Sequence, residues 1–401
     1  MENEKRFVFF KGLYSTLDLY TQEMERICEK RGYTYFTLHA AEKSGKPILG
    51  EKEKFISFIQ KPVTAAIGFG DMGLCFEDEN KVSYWDKYHI PYINMMMDHP
   101  FHLGKAMEHA ADNTILLCPD KNHVNYIRRF YKNIRMAEFL PHAGKETNVP
   151  KQLLLDRKID VLYAGGLSRG VVENMIPDLK KFKDFDGEDL METVLSNLVK
   201  HPATTTEAAI EQYLIQHGIF YSEVQLAQTI RELRFLDMYI TSMFREMTIR
   251  LLVENGIKVT LYGTGWEVCD WIHHPNLDYE GIVPAQMVPI LMQESKIVLN
   301  TMTWFKDGSH DRIFNGMLAK AVVVSDSSIY LKETLKDGEE IMFFELDHLK
   351  ELPDQIHALL KDEEKLVALS EHGYRRAKQE HTWENRLDTI LQTVLPAFEV
   401  H

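Results

Sequence analysis

The chain has 401 residues, 45% apolar and 26% charged, with 46 Lys and Arg against 60 Asp and Glu for a net charge of −14. That length suits two domains better than one core, and the composition is that of a soluble globular protein. A surface this acidic repels a polyanion, which argues against nucleic acid as a partner, and no apolar run nears the ~18 residues of a membrane span.

In chain order, Phe7-Val8-Phe9-Phe10 reads as a buried strand, followed by an amphipathic stretch from Leu17 to Glu29. Tyr33–Leu38, Val63–Ile67, Tyr92–Met97, Thr114–Cys118 and Met136–Leu140 continue the alternation of short apolar runs with helix-length segments. That pattern predicts a parallel sheet covered on both faces. Pro141 to Pro150, with Gly144 and several polar residues, reads as a linker. A second series opens at Ile159–Gly166, breaks for a Leu-, Glu- and Gln-rich stretch, and resumes at Val259–Gly263, Ile297–Asn300, Val322–Ser325 and Ile341–Phe344. The break, about 171–254, reads as a helical insertion that shapes an acceptor site, mediates dimerisation or simply packs. The boundaries expected are 1–145, 151–378 and a closing helix at 379–401.

Ligands of doubly wound sheets bind beyond the carboxyl ends of the strands, so motifs just after strands carry the most weight. Asp307-Gly308-Ser309-His310-Asp311-Arg312 precedes a stretch in which Ile313, Phe314, Met317, Leu318 and Ala321 share one helical face. Asp311, Arg312 and Asn315 fall on the other side. Free N–H groups at that helix start, with Arg312 beside them, suit a diphosphate. The same pattern also suits a capped surface helix. Leu261-Tyr262-Gly263-Thr264-Gly265-Trp266 offers a GxG turn after a strand, with Trp266 as a pocket wall. The dinucleotide fingerprint is broken, because Val268 stands where Gly or Ala belongs. Tyr279-Glu280-Gly281-Ile282-Val283-Pro284 reads as a turn with a helix beginning near Pro284. In the first half, Asp98 and His99 follow a strand directly and are the candidate general base, or else an Asx-type turn before Pro100. Lys11-Gly12-Leu13-Tyr14-Ser15 follows the first strand in the same way. Seventeen histidines show no metal-ligand spacing. The four cysteines show neither a CxxC pair nor a disulfide framework, and the N-terminus lacks a signal peptide's apolar stretch, so free thiols and a cytoplasmic location are expected.

Taken in order, Ala164-Gly165-Gly166-Leu167, Leu261–Trp266, Tyr279–Val283, Gly308–Phe314, Val322–Asp326 and Glu380–Arg386 resemble the C-terminal half of GT-B glycosyltransferases, most nearly the CgeB-like, spore-maturation group. The resemblance implies two Rossmann-like doubly wound domains facing a cleft, the second with a helical insertion. It implies metal-independent sugar transfer from a nucleoside-diphosphate sugar, a UDP-sugar favoured, to a glycan, protein or small-molecule acceptor. The donor's base would lie near Gly281 and Ile282. Its diphosphate would rest on Ser309, His310, Asp311 and Arg312, with Arg169 as a second cation. Its ribose would lie beside Asn315. Gly165, Gly263 and Gly265 would let backbone approach the donor, and Asp307 would touch a sugar hydroxyl. No cofactor is implied, and a homo-oligomer through the inserted helices is one expectation. Many retaining relatives carry two glutamates with seven residues between them here; this chain has Asp307 and Asn315 instead. A hydrolysing sugar-nucleotide epimerase, a nicotinamide dehydrogenase and a non-catalytic donor-binding protein are the alternatives.

Overall fold

A computed structural model describes residues 4–40, 51–147 and 152–400. The chain divides into two compact units, Met1–Lys145 with Thr382–His401, and Glu146–His381. The last residues of the proposed linker, 148–150, lie outside the described residues.

The first unit is built on six parallel strands: β1 (Arg6–Lys11), β2 (Thr34–His39), β3 (Ala65–Phe69), β4 (Tyr92–Met95), β5 (Thr114–Cys118) and β6 (Met136–Phe139). Their order across the sheet is β2-β1-β3-β4-β5-β6. β1, β3, β4 and β5 are almost wholly buried, as strands covered on both faces must be, which is why they read as unbroken apolar runs. The C-terminal segment belongs to this unit. Trp383, fully buried, packs against Tyr20 and Phe69, and Arg386 donates from Nε to the Pro141 carbonyl and from Nη2 to that of His142.

The second unit repeats the scheme with β7 (Ile159–Ala164), β8 (Val259–Tyr262), β9 (Leu277–Gly281), β10 (Ser295–Asn300), β11 (Val322–Asp326) and β12 (Met342–Phe344). The order is β12-β11-β10-β7-β8-β9, all pairs parallel. The chain starts at the centre, moves outward through β8 and β9, and returns to the other side of β7 at β10. β7 and β10 are therefore neighbours whose connections leave in opposite directions, and a crevice forms at their carboxyl ends.

Alternation along the strands divides the core. Val161 and Tyr163 of β7, with Ile297 and Leu299 of β10, face one layer that contains Ile249, Leu252 and Val253. Leu162 and Val298 face the other, with Leu291 and Met292.

Two expectations change. Leu277–Gly281 is an edge strand rather than a turn, and Pro284 caps a single 3-10 turn (Ala285–Met287) before the helix Val288–Gln293. Nor is the whole stretch between β7 and β8 a segment apart from the sheet. Its last helix, Phe235–Glu254, puts Ile249, Leu252 and Val253 into the core and serves as the β7-to-β8 crossover. The helices Gly187–Lys200, Thr206–Gln216 and Glu223–Glu232 precede it, each begun by a side-chain cap from Asp186, Thr205 or Ser222.

Candidate functional site

Three loops meet at the carboxyl ends of β7, β8 and β9, joined by backbone hydrogen bonds. Gly165 N–H donates to the Tyr262 carbonyl, Leu167 N–H to that of Thr264, and Gly263 N–H to that of Gly281, each at 2.8 Å. So close an approach demands glycine. A Cβ at Gly263 would stand 2.3 Å from the Gly165 oxygen, and one at Gly265 2.0 Å from the Leu167 oxygen. Both also have positive φ, +142° and +85°. Trp266 is fully buried against Tyr163 and Trp271 and donates its indole N–H to the Gly165 carbonyl at 2.8 Å. It therefore supports the loop from beneath and is not the pocket wall its position suggested. Past β9, the backbone turns at Gly281 (φ +70°, open space around its Cα) and leaves Ile282 76% exposed.

At the switch point, β10 ends in the buried Asn300. Its amide nitrogen donates to Ser325 Oγ at 2.9 Å, while its oxygen accepts from Arg312 Nη1 at 2.9 Å. Arg312 lies 5.3 Å from the Tyr163 ring centroid, and a Cβ on Gly165 would come within 2.9 Å of its other terminal nitrogen. The arginine is thus held over the end of β7 by an amide, a ring and a glycine gap.

It belongs to the helix Asp311–Leu318, whose Ile313, Phe314, Met317 and Leu318 are buried as the periodicity required. Gly316 lets this helix sit against Val323 and Val298. No side chain caps its start at His310; the Ile313 N–H donates to the His310 carbonyl at 3.2 Å, and N–H groups at a helix start are the kind that bind an anion. His310 Nε2 lies 3.5 Å from Asp311 Oδ1, and Asn315 donates to Asp311 Oδ2 at 2.9 Å. Asp311 and Asn315 therefore engage each other. The preceding loop is fixed by Ser328 Oγ, which donates to the Gly308 carbonyl at 2.6 Å, and by Ile329 N–H, which donates to that of Lys306. Asp307 is half-buried on this loop.

Several buried polar atoms around this loop have no hydrogen-bond partner: Thr303 Oγ1, Trp304 Nε1, Ser309 Oγ and Arg245 Nε. Orphaned buried donors are costly. Three of the four lie on the loop after β10 and the fourth on the crossover helix.

Arg245 is a residue that sequence reasoning missed. It lies on the crossover helix, 9% exposed, with Nη1 donating to the Gly166 carbonyl at 2.5 Å. Its signal was an arginine set four residues from Thr241 and Ile249, on an otherwise buried stripe. Arg169, the second cation expected, instead lies with a 53% exposed side chain, 3.6 Å from Glu246 Oε2. Behind the Thr303 loop, a cavity of about 300 Å³ is lined by Thr303, Lys306, Asp326, Ser328 and Lys332. Asp326 there is 2% exposed; it accepts from Met302 N–H at 2.8 Å, and burial pushes its carboxyl up to about 7.

In the first unit, Lys11 is engaged by Glu25, and Gly12 (φ +101°) donates to Asp18 Oδ1 at 3.0 Å. Asp98 reaches solvent, yet desolvation by the surrounding fold raises its carboxyl above the usual range. Tyr14, after β1, has its phenol raised chiefly by the charge of Asp71 and to a smaller degree by that of Asp98. His99 has a different place. It is 4% exposed, accepts from Phe101 N–H through Nδ1 at 3.2 Å, and stacks on Phe101 with centroids 3.7 Å apart. Burial pushes it down to about 3, so it caps the Pro100–Leu103 turn as a neutral ring.

That depressed value has a consequence for stability. Above pH 6.5 the folded and unfolded forms both hold a neutral imidazole; as pH falls below 6.5, only the unfolded chain takes up the proton. His99 should therefore cost about 1.4 kcal/mol of stability per pH unit between 6.5 and about 3. Urea unfolding at pH 7 and pH 5 should show a smaller acid loss for His99→Asn, which keeps an acceptor for Phe101 N–H, than for the wild type. Equal losses would contradict this.

Among the described residues, no group of three His, Cys, Asp or Glu side chains is placed to hold a metal ion, and no helix is long and apolar enough to cross a membrane.

Residues 242–392 match the model of a family described as glycosyl transferase-like. Among curated proteins none matches. The whole chain is similar in structure to an α-glucosyltransferase solved with UDP and a 13-mer DNA containing a HMU base, at TM-score 0.52 and 11% identity over 97% of this chain and 100% of that one. It is similar to HepE of Anabaena solved with UDP, at 0.50 and 10% over 99% and 100%. A glycosyltransferase involved in avilamycin A biosynthesis gives 0.50 and 10% over 98% of each chain. The chain spans 54% of the length of TarM, at TM-score 0.45. At these identities the likeness establishes the architecture: two Rossmann-like domains of the GT-B fold, the second bearing a segment similar to the glycosyl transferase-like family.

Proposed function

We propose that the protein is a glycosyltransferase that moves a sugar from a nucleoside-diphosphate sugar, a UDP-sugar being the favoured donor, to an acceptor hydroxyl or similar nucleophile. The observation that carries this reading is the array of unpartnered buried donors at the β7/β10 switch point, Thr303, Trp304 and Ser309, beside Arg312 and an uncapped helix start. A diphosphate offers several oxygens that can accept from groups of this kind.

In the reaction, the bond between the anomeric carbon and the diphosphate oxygen breaks while a bond to the acceptor oxygen forms. Negative charge grows on the leaving diphosphate, and Arg312 with the helix N–H groups stabilises it without calling on a metal. The base of the donor lies along the open backbone at Gly281 and Ile282, its ribose beside the Asp311–Asn315 pair, and Asp307 meets a sugar hydroxyl. Gly165, Gly263 and Gly265 shape the backbone floor.

Asp98 is the group we assign to take the acceptor's proton in an inverting reaction. Its raised carboxyl makes it a stronger base than an ordinary aspartate, whereas His99, held neutral by burial, serves the turn. The narrower likeness to the CgeB-like group rests on the order of the second unit's motifs.

Incubation with labelled UDP-, GDP-, dTDP- and CDP-sugars, with and without a panel of hydroxyl acceptors, tests the assignment. Label carried onto an acceptor, with matching release of the nucleoside diphosphate, is expected. Acceptor-independent release of an epimerised free sugar would replace transfer with hydrolytic epimerisation.

A further inference from the structure

Two arginines meet at the carboxyl end of β7, and the chain brings them from opposite directions. Arg312 arrives on the helix after β10. Arg245 arrives on the crossover helix Phe235–Glu254, whose 20 residues span about 30 Å, against about 20 Å for the six-residue β7. With Ile249, Leu252 and Val253 packed on the sheet, the preceding turns of that helix extend past the strand ends. This places Arg245 over Gly166, two residues beyond β7.

The surroundings of Arg245 are unusual for a buried cation. Its guanidinium lies 5.1 Å from the Trp304 ring centroid, Nη1 is used by the Gly166 carbonyl, and Nε has no partner. It forms no ion pair with a carboxylate among the described residues. Tyr163 touches both arginines, through its ring to Arg312 and through its side chain to Arg245. Burial disfavours the Arg245 charge most and the positive charge of Arg312 adds to that, while Tyr163 and the more distant carboxylate of Asp326 offset part of it. A protein keeps an unpaired buried cation, with a second one nearby, at a cost to folding that a hydrophobic side chain would avoid. An anion of more than one charge removes that cost. Arg169, by contrast, is solvated and has Glu246 beside it, so it needs no ligand.

We propose that Arg245 is the second cation of the diphosphate site, closing with Arg312 on the two phosphates of a nucleoside diphosphate. The inference rests on the donor-site reading above and extends it. The leaving group is held from two elements, the helix after β10 and the crossover helix, and the planar fork of Arg245 keeps Nε free for a phosphate oxygen. The long connection between β7 and β8 thereby belongs to the donor site as well as to the fold.

Calorimetric titration with inorganic pyrophosphate and with UDP tests this on the full chain. Arg245→Met keeps much of the length and removes the charge; Arg245→Lys keeps a charge without the fork, and carries the test should the methionine variant not fold. Arg250→Gln, an exposed position on the same helix facing Glu254 and Asp270, is the control. The expected result is about 10- to 100-fold weaker binding of both probes by Arg245→Met, a smaller loss for Arg245→Lys and none for Arg250→Gln. The ligand-free melting temperature of Arg245→Met should equal or exceed that of the wild type, because an unpaired buried charge has gone. Wild-type affinity in whichever Arg245 variant folds overturns the assignment while leaving the donor site intact. A lowered ligand-free melting temperature with unchanged affinity makes the arginine structural and overturns it too. No binding of either probe by the wild type overturns the donor site and this inference together.

Discussion

Alanine at position 312 is expected to lower the rate of sugar transfer by about 10²–10³-fold, the size of effect seen when one preorganised donor to a developing charge is removed. Donor affinity should fall by a smaller amount, about 10-fold or more, since a charge-assisted hydrogen bond contributes about 1.5–3 kcal/mol. The larger loss belongs in the rate because the diphosphate carries more charge as it departs than in the bound donor. Stability should change little. Arg312 is half-buried, its contacts are an amide oxygen and an aromatic face, and water replaces it. Steady-state kinetics beside a thermal melt separates these outcomes. An Arg312→Ala protein with wild-type rate and donor affinity would remove this residue from the site.

The second large effect is predicted at Gly265, through backbone geometry. Alanine there must adopt φ near +85° and place a methyl 2.0 Å from the Leu167 carbonyl oxygen, which is backbone and has no rotamer to move. Left-handed strain together with overpacking amounts to about 2–5 kcal/mol. The same displacement pulls apart the hydrogen bond from Leu167 to Thr264 and shifts the neighbouring Gly166, the carbonyl that Arg245 holds. Gly281→Ala is the matched control. It has a similar φ of +70° but open space around it, so it should cost only about 1–2 kcal/mol. Urea unfolding of the two variants should rank them in that order. Equal destabilisation would show that the loop yields where the geometry says it cannot.

Much of the architecture was legible because buried parallel strands announce themselves as unbroken apolar runs. Phe7–Phe10, Thr114–Cys118 and Val322–Ser325 lie in strands for that reason. β9 was missed for the converse reason. Leu277-Asp278-Tyr279-Glu280-Gly281 pairs with β8 on one side only, so charged residues are tolerated in it and the apolar signal is lost.

The helix Asp311–Leu318 was readable from a local 3.6-residue period, and its apolar face is buried where expected. What the period could not convey is that Asn300, Tyr163 and Gly165 converge on Arg312 from two other strands. The exchange of Arg169 for Arg245 has the same origin. Arg169 stands next to the Gly-Gly strand in sequence but is solvated and lies beside Glu246, while Arg245 stands far along the chain and returns on the crossover helix. Trp266 misled for its size. An aromatic after a glycine turn suggests a ligand wall, whereas a fully buried indole with its N–H committed to Gly165 is part of the floor.

The central claim is that the β7/β10 switch point is a diphosphate site, and thermal melting with UDP, GDP, dTDP and CDP tests it most directly. A ligand present at about 100 times its Kd stabilises the native state by about 2.7 kcal/mol, which in a unit of this size raises the melting temperature by roughly 5–10 °C. The account predicts such a shift with at least one of the four, UDP first, and its loss in Arg312→Ala. A wild-type melting temperature unmoved by all four would contradict it.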